Sequence, residues 1–231
     1  MIATQKSSSP DFTAARFHMV ESQIKPNKVT DERILKAMGD LPREIFVPSS
    51  MTGIAYIDED MQVVPGRYLL EPMVLARLLQ EADVKPGDRV LDIAPATGYS
   101  TAVLASLAEE VVSVESDPAL QKQAIYNLNV LGTSNTDIQC GALTEGWSAE
   151  APYDVILING SVEVVPSTLT DQLAEGGRLL LVMRMRESGS AFRTGEARLY
   201  QKNHSQISHR ALFDANVNLL PGFEKPKTFA F

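Results

Sequence analysis

The stretch VLDIAPATGYSTAVLA, Val90 to Ala105, decides how the rest of the chain is read. VLDI is apolar apart from Asp92, as expected of a strand covered on both faces, and TAVLA has the composition of a helix. Between them, APATGYS supplies the residues of a tight turn. A strand, a turn and a helix in that order open an α/β sheet of the kind whose ligands lie beyond the carboxyl ends of its strands. Downstream, RVLDI, VVSVE, TDIQC, DVILI and RLLLVM alternate with the helix-like TAVLASLAEE, PALQKQAIYNLNVLG and VPSTLTDQLAEG. This alternation predicts an α/β fold of the Rossmann-like kind: a mostly parallel, doubly wound sheet with helices on both faces. Gly176 and Gly177 are expected to terminate the last of these helices, and ARLYQKN and QISHRALFDANVNLL to close the sheet as an antiparallel pair.

Upstream of Val90 the pattern is helical. Asp11 is expected to cap a helix running to about Ile24, and a second helix is expected to begin after Thr30 and stop at Pro42. The four prolines of PREIFVPSSMTGIAYIDEDMQVVPGRYLLEP favour short extended pieces over a long helix. A helix is expected again over Met73–Ala82, ended by the turn VKPGDR. The expected organisation is a disordered tail over 1–10, an N-terminal helical cap over 11–83 carrying the substrate side, and an α/β core over 84–231.

Composition narrows the class. The 231 residues are 44% hydrophobic and 22% charged, with a net charge of -8, one cysteine and three histidines. Such a chain buries enough apolar surface to need no disulfide or structural metal, and Cys140 alone fits a reducing cytoplasm. Net negative charge argues against a nucleic-acid partner, and the absence of a long apolar run against a membrane one. The one basic cluster, RMRESGSAFR from Arg184, is expected to form a solvated loop. Oligomeric state is not legible.

The loop after the first core strand carries the chemistry. Glu115, at the end of VVSVE, stands about 20 residues beyond it, where a carboxylate can accept both hydroxyls of a ribose. The three glycine positions of a dinucleotide loop are here Ala94, Ala96 and Tyr99, and Pro95 removes a donor, so a pyrophosphate would be poorly served. S-adenosylmethionine has no phosphate and tolerates the less open turn. The residues therefore favour it over a nicotinamide cofactor, with Asp92, Ala94, Ala96, Gly98, Tyr99 and Glu115 around it.

The same pieces resemble the protein-L-isoaspartate O-methyltransferase family, in the family's order, from about Met19 to Met183. MVESQI resembles its N-terminal helix, PREIFVP and AYIDED its cap, and PGRYLLEPMVLARLLQ its substrate-side segment. VLDIAPATGYSTAVLA is similar to its cofactor loop and VVSVESD to its ribose acid. GALTEGW, APYDVILING and GGRLLLVM resemble the turn and strands that follow. The resemblance implies a methyltransferase that uses S-adenosylmethionine, leaves S-adenosylhomocysteine, and esterifies a carboxylate of damaged aspartyl residues in a peptide or protein, or of a related small-molecule acceptor.

Several positions depart from the family pattern. Its loop reads E-I-G-T-G-S-G-Y where this chain has Asp92 to Tyr99 as D-I-A-P-A-T-G-Y. Its acid near the adenine is replaced by Ala142, leaving backbone around Ala142 and Leu143 for that role. Its G-Q-T-I-S-Q-P becomes Gly66 to Pro72, G-R-Y-L-L-E-P, so that Leu70 stands in place of the serine regarded as catalytic and Tyr68 is the remaining hydroxyl. Glu71 is expected to be exposed at a helix start. A second expectation follows from these losses: a degenerate relative without isoaspartyl activity, kept as a binding or regulatory module.

Overall fold

The computed structural model describes residues 11–184 and 195–226. The expected tail over 1–10 and all of the basic cluster after Arg184 lie outside the described residues.

Helix α1 (Phe12–Met19) starts at Asp11, whose carboxylate accepts from the backbone of Thr13 and Ala14. It does not run on to Ile24 as a regular helix. The backbone widens into a π turn over Val20–Ile24 and tightens into a 3-10 turn over Lys25–Asn27, where Pro26 has no N–H to continue the ladder. Helix α2 (Glu32–Asp40) is capped one residue later than the sequence suggests: Asp31, not Thr30, accepts from the Arg33 N–H. Its Ile34, Leu35 and Met38 are buried. The proline-rich stretch forms 3-10 turns over Arg43–Phe46 and Ser49–Ile54, then a small antiparallel hairpin of β1 (Met61–Val64) and β2 (Arg67–Leu69). Helix α3 (Pro72–Ala82) begins with proline at its first position and ends at Asp83 in the left-handed conformation.

The core follows the predicted alternation: β3 (Arg89–Ile93), α4 (Tyr99–Ala105), β4 (Glu110–Glu115), α5 (Pro118–Val130), β5 (Thr136–Cys140), β6 (Tyr153–Val162), α6 (Ser167–Asp171), β7 (Leu173–Arg184), β8 (Gly195–Asn203) and β9 (Gln206–Asp214). The seven strands lie in the order β5-β4-β3-β6-β7-β8-β9. Five are parallel, and β8 and β9 add the expected antiparallel edge. β3, β4 and β6 are buried along almost their whole length, which is why their sequences are apolar without alternation. The expectation for the twin glycines is corrected here. Gly176, with φ +79°, sits inside β7 at an irregularity in its pairing with β6, not at a helix end. α6 is accordingly only five residues long.

Chain order reverses at β3. From it the sheet grows through β4 and β5 on one side and through β6 and β7 on the other. A crevice opens at such a switch point, above the loops that follow β3 and β6. The cap packs on this core without a seam: Met19, Ile34, Phe46, Leu69 and Leu75 belong to one apolar cluster with Val90, Val103, Leu157 and Leu180. No helix among the described residues is long and apolar enough to cross a membrane, and no cluster of metal-ligating side chains occurs among them.

Candidate active site

The loop after β3 keeps a glycine's backbone with alanine's side chains. Ala94, Ala96 and Gly98 have φ of +65°, +54° and +97°. A left-handed alanine costs on the order of 1 kcal/mol relative to glycine, so two of them in one turn mark a conformation imposed by its surroundings. Those surroundings are specific. The Ala94 N–H donates to the Val114 carbonyl at 2.9 Å and the Gly98 N–H to the Pro95 carbonyl at 2.9 Å. The Asn127 amide donates to the Thr97 carbonyl at 2.9 Å, and the Thr97 hydroxyl donates to the Phe46 carbonyl of the cap. Gly98 also answers to packing, since a Cβ there would stand 3.2 Å from the Cβ of Ala124 on α5.

Asp92 lies beneath this turn, fully buried. One of its oxygens accepts from the hydroxyls of Ser100 at 2.7 Å and Thr101 at 2.8 Å, the other from the Asn159 amide at 2.6 Å. Burial pushes its carboxyl up to about 6 against the pull of these three donors. Asn159, in the second half of β6, also donates to the Ile93 carbonyl at 2.9 Å, tying the two strands together at the reversal point.

Glu115 is fully buried at the end of β4. Its Oε1 accepts from the backbone of Ser116 at 2.7 Å and Asp117 at 3.1 Å. Its Oε2 accepts from the Ala96 N–H at 3.1 Å and from the guanidinium of Arg67 on β2. A carboxylate offers about four acceptor positions. Here both oxygens are fully engaged: the Ser116 hydroxyl also reaches Oε1 at 3.4 Å, and one donor on Oε2 is a side chain of the cap.

The remaining expected residues flank this centre. Tyr99 starts α4 and is buried under the Arg43 guanidinium, 4.7 Å from its ring centroid, and edge-on to Phe46. Ala142 is exposed and Leu143 buried at the turn after β5, beside Glu115, because the Gly141 N–H donates to the Glu115 carbonyl at 3.0 Å. Tyr68 is half-buried and its hydroxyl accepts from the Gln62 amide at 3.0 Å. Leu70 is buried, and its carbonyl accepts from Arg43 at 2.8 Å. Tyr68, Leu70, Pro95, Tyr99, Ser100 and Asn159 line a cavity of only about 10 Å³, room for a single water. A wider space of about 400 Å³ opens on the neighbouring side of the loop, bounded by Phe46, Val47, Val63, Thr97, Asp117 and Gln123.

Glu71 departs from its expected exposure. It is half-buried at the start of α3, and burial together with repulsion from Asp58, Asp60 and Glu59 pushes its carboxyl up to about 7. Arg67, Arg43 and Asn159 escaped the sequence reading. Arg67 and Arg43 sit among turn-forming and apolar residues, and a buried arginine there is marked only by the rarity of that residue type in a protein interior.

The loop and Glu115 suit an adenosyl ligand in kind: a turn of left-handed residues at the head of α4, and a buried carboxylate at the end of β4. Arg67 stands on that carboxylate.

A model of the protein-L-isoaspartate(D-aspartate) O-methyltransferase family matches residues 14–214. Among similar proteins, a protein-L-isoaspartate O-methyltransferase of Methanoculleus marisnigri is 38% identical over 172 residues, covering 74% of this chain and 78% of the relative. A protein-L-isoaspartate O-methyltransferase 2 of Marinobacter nauticus is 39% identical over 171 residues, with the same coverage of 74% and 78%. A solved protein-L-isoaspartate O-methyltransferase superposes with a TM-score of 0.74 at 27% identity, covering 90% of this chain and 66% of that one. A Plasmodium falciparum structure, described as a candidate enzyme of the same name in complex with S-adenosyl-L-homocysteine, shares the fold with a TM-score of 0.73 at 21% identity, over 92% of this chain and 99% of that one. With matches of this extent, the chain belongs to the protein-L-isoaspartate(D-aspartate) O-methyltransferase family.

Proposed function

We propose that this chain is an S-adenosylmethionine-dependent O-methyltransferase that esterifies the carboxylate of damaged aspartyl residues in proteins. The observation that carries this is the meeting of Glu115 with the left-handed loop of Ala94, Ala96 and Gly98 at the switch point of a chain from this family. When bound, the cofactor supplies a sulfonium methyl group. The acceptor carboxylate is ionised at neutral pH, so no strong base has to be provided. The protein's work is alignment and the exclusion of water.

Each side chain has a part in that work. Glu115 receives the ribose hydroxyls, Asp92 and Asn159 hold the loop that cradles the aminoacyl end, and Ala142 with Leu143 forms the adenine side. Leu70, Tyr99 and Pro95 supply the apolar wall of the small cavity at the loop, whose size excludes bulk water. The Tyr68 hydroxyl, which accepts from Gln62 and keeps its own proton to give, orients the acceptor carboxylate. Glu71, with its carboxyl raised to about 7, is largely uncharged below neutral pH and repels an acceptor carboxylate less there than above it. A cytoplasmic location fits an exposed free thiol at Cys140 and a protein substrate. The reading as a binding module without activity draws nothing from the relatives, which carry the enzyme's name.

The test is an assay of methyl ester, or of methanol released from it, with S-adenosylmethionine and an isoaspartyl peptide beside the same peptide bearing normal aspartate. Esterification confined to the isoaspartyl peptide is the expected result. Saturable cofactor binding with no ester on either peptide would reassign the acceptor to another molecule.

A further inference from the structure

We infer that Arg67 is an internal competitor for Glu115: its guanidinium holds the ribose-binding carboxylate until an adenosyl ligand displaces it, so that the chain binds its cofactor only by breaking an ion pair of its own. This rests on the methyltransferase reading above.

The geometry of the pair supports exchange. Arg67 meets Glu115 through one nitrogen, on Oε2, and its Nε is buried without a partner among the described residues. A two-pronged guanidinium–carboxylate pair would be the stronger arrangement, and this one falls short of it. The other donors on Glu115 are the backbone N–H groups of Ala96, Ser116 and Asp117, fixed by the sheet and its loops, and the neighbouring Ser116 hydroxyl at 3.4 Å. Arg67 is therefore the one charged partner, and it can leave without unfolding anything. Its own element permits this. Among the described residues β2 pairs only with β1, in a two-stranded sheet separate from the seven-stranded one, and the turn before it contains Gly66 with φ +77°. Both members of the pair are buried, with side-chain exposures of 7% and 0%, so water does not compete for the carboxylate while the pair holds. The ligand's hydroxyls must offset the loss of a charged partner, which lowers affinity by the free energy of the closed arrangement.

The consequence is that a neutral residue at position 67 should bind the ligand more tightly. Glu115 would stay oriented on its three backbone donors, with the position on Oε2 already vacant. The experiment is calorimetric titration of S-adenosylhomocysteine into the full chain as wild type, Arg67→Gln and Arg67→Met, each checked for folding by its circular dichroism melt. Both variants are expected to bind at least about tenfold more tightly than wild type. Should one fail to fold, the other decides. Equal or weaker binding by the folded variant, with the wild type binding saturably, overturns the competitor role alone and leaves the methyltransferase reading standing. Absence of binding in all three overturns both.

Discussion

Asp92 shows what a single buried acid does to this site. Its carboxyl is held near 6 by burial, against 3.8 when the chain is unfolded. A carboxyl raised on folding contributes its full stability below the unfolded value and loses it as pH rises through the folded one. Relative to wild type, Asp92→Asn should therefore gain stability by about 3 kcal/mol between pH 3.5 and pH 7, because the asparagine never ionises. Denaturant unfolding of both proteins across that range is the check, and a difference that does not vary with pH would contradict the assignment. The residue scale also explains what could be read from the chain and what could not. Glu115, Asp92 and Gly98 were legible because strand ends and turn spacing place them. Arg67 was not, since contact across 48 positions between a hairpin and a strand end leaves no local pattern.

Among the elements, the end of β6 illustrates how closely the site's frame is packed. The chain after β9 returns to it: the Ser161 N–H donates to the Asn218 carbonyl and the Leu220 N–H to the Ser161 carbonyl, both at 2.9 Å. Leu220 is then pressed onto Gly160, where an added Cβ would stand 2.4 Å from its Cγ. Gly160→Ala should cost about 1 to 3 kcal/mol through this collision, the usual range for overpacking. Combining it with Leu220→Ala should recover part of that loss, so the two changes are expected to be less than additive in a double-mutant cycle. Full additivity would mean that Leu220 is not what excludes the methyl group. The elements themselves were largely legible, because buried parallel strands and intervening helices differ in length and pattern. The misreadings fell where tertiary contacts decide: a helix capped by Asp31 rather than starting from Thr30, a π turn instead of five more residues of α1, and Gly176 inside β7.

At the scale of the molecule, cap and core behave as one body. Arg43 of the cap is fully buried, donates to the Ala55 and Leu70 carbonyls and covers the Tyr99 ring of α4. The apolar cluster runs through both parts. Heating should accordingly give a single transition, with fluorescence of the sole tryptophan, Trp147 in the core, following the same curve as far-ultraviolet circular dichroism, which also reports the cap helices. A cap that melted first would separate the two curves. The sequence pattern announced the core and its family; the joining of cap to core through a buried arginine and an ion pair had no counterpart in periodicity, since both partners are polar residues that patterning places outside. Glu115 as the seat of an adenosyl ligand is the centre of the proposed function. Titrating S-adenosylhomocysteine into wild type and Glu115→Gln measures this most directly. Wild type should bind one equivalent, and the variant should lose roughly tenfold to a hundredfold in affinity, as expected for hydrogen bonds to a charged group that become neutral ones. A folded Glu115→Gln protein that binds as tightly as wild type would contradict the account.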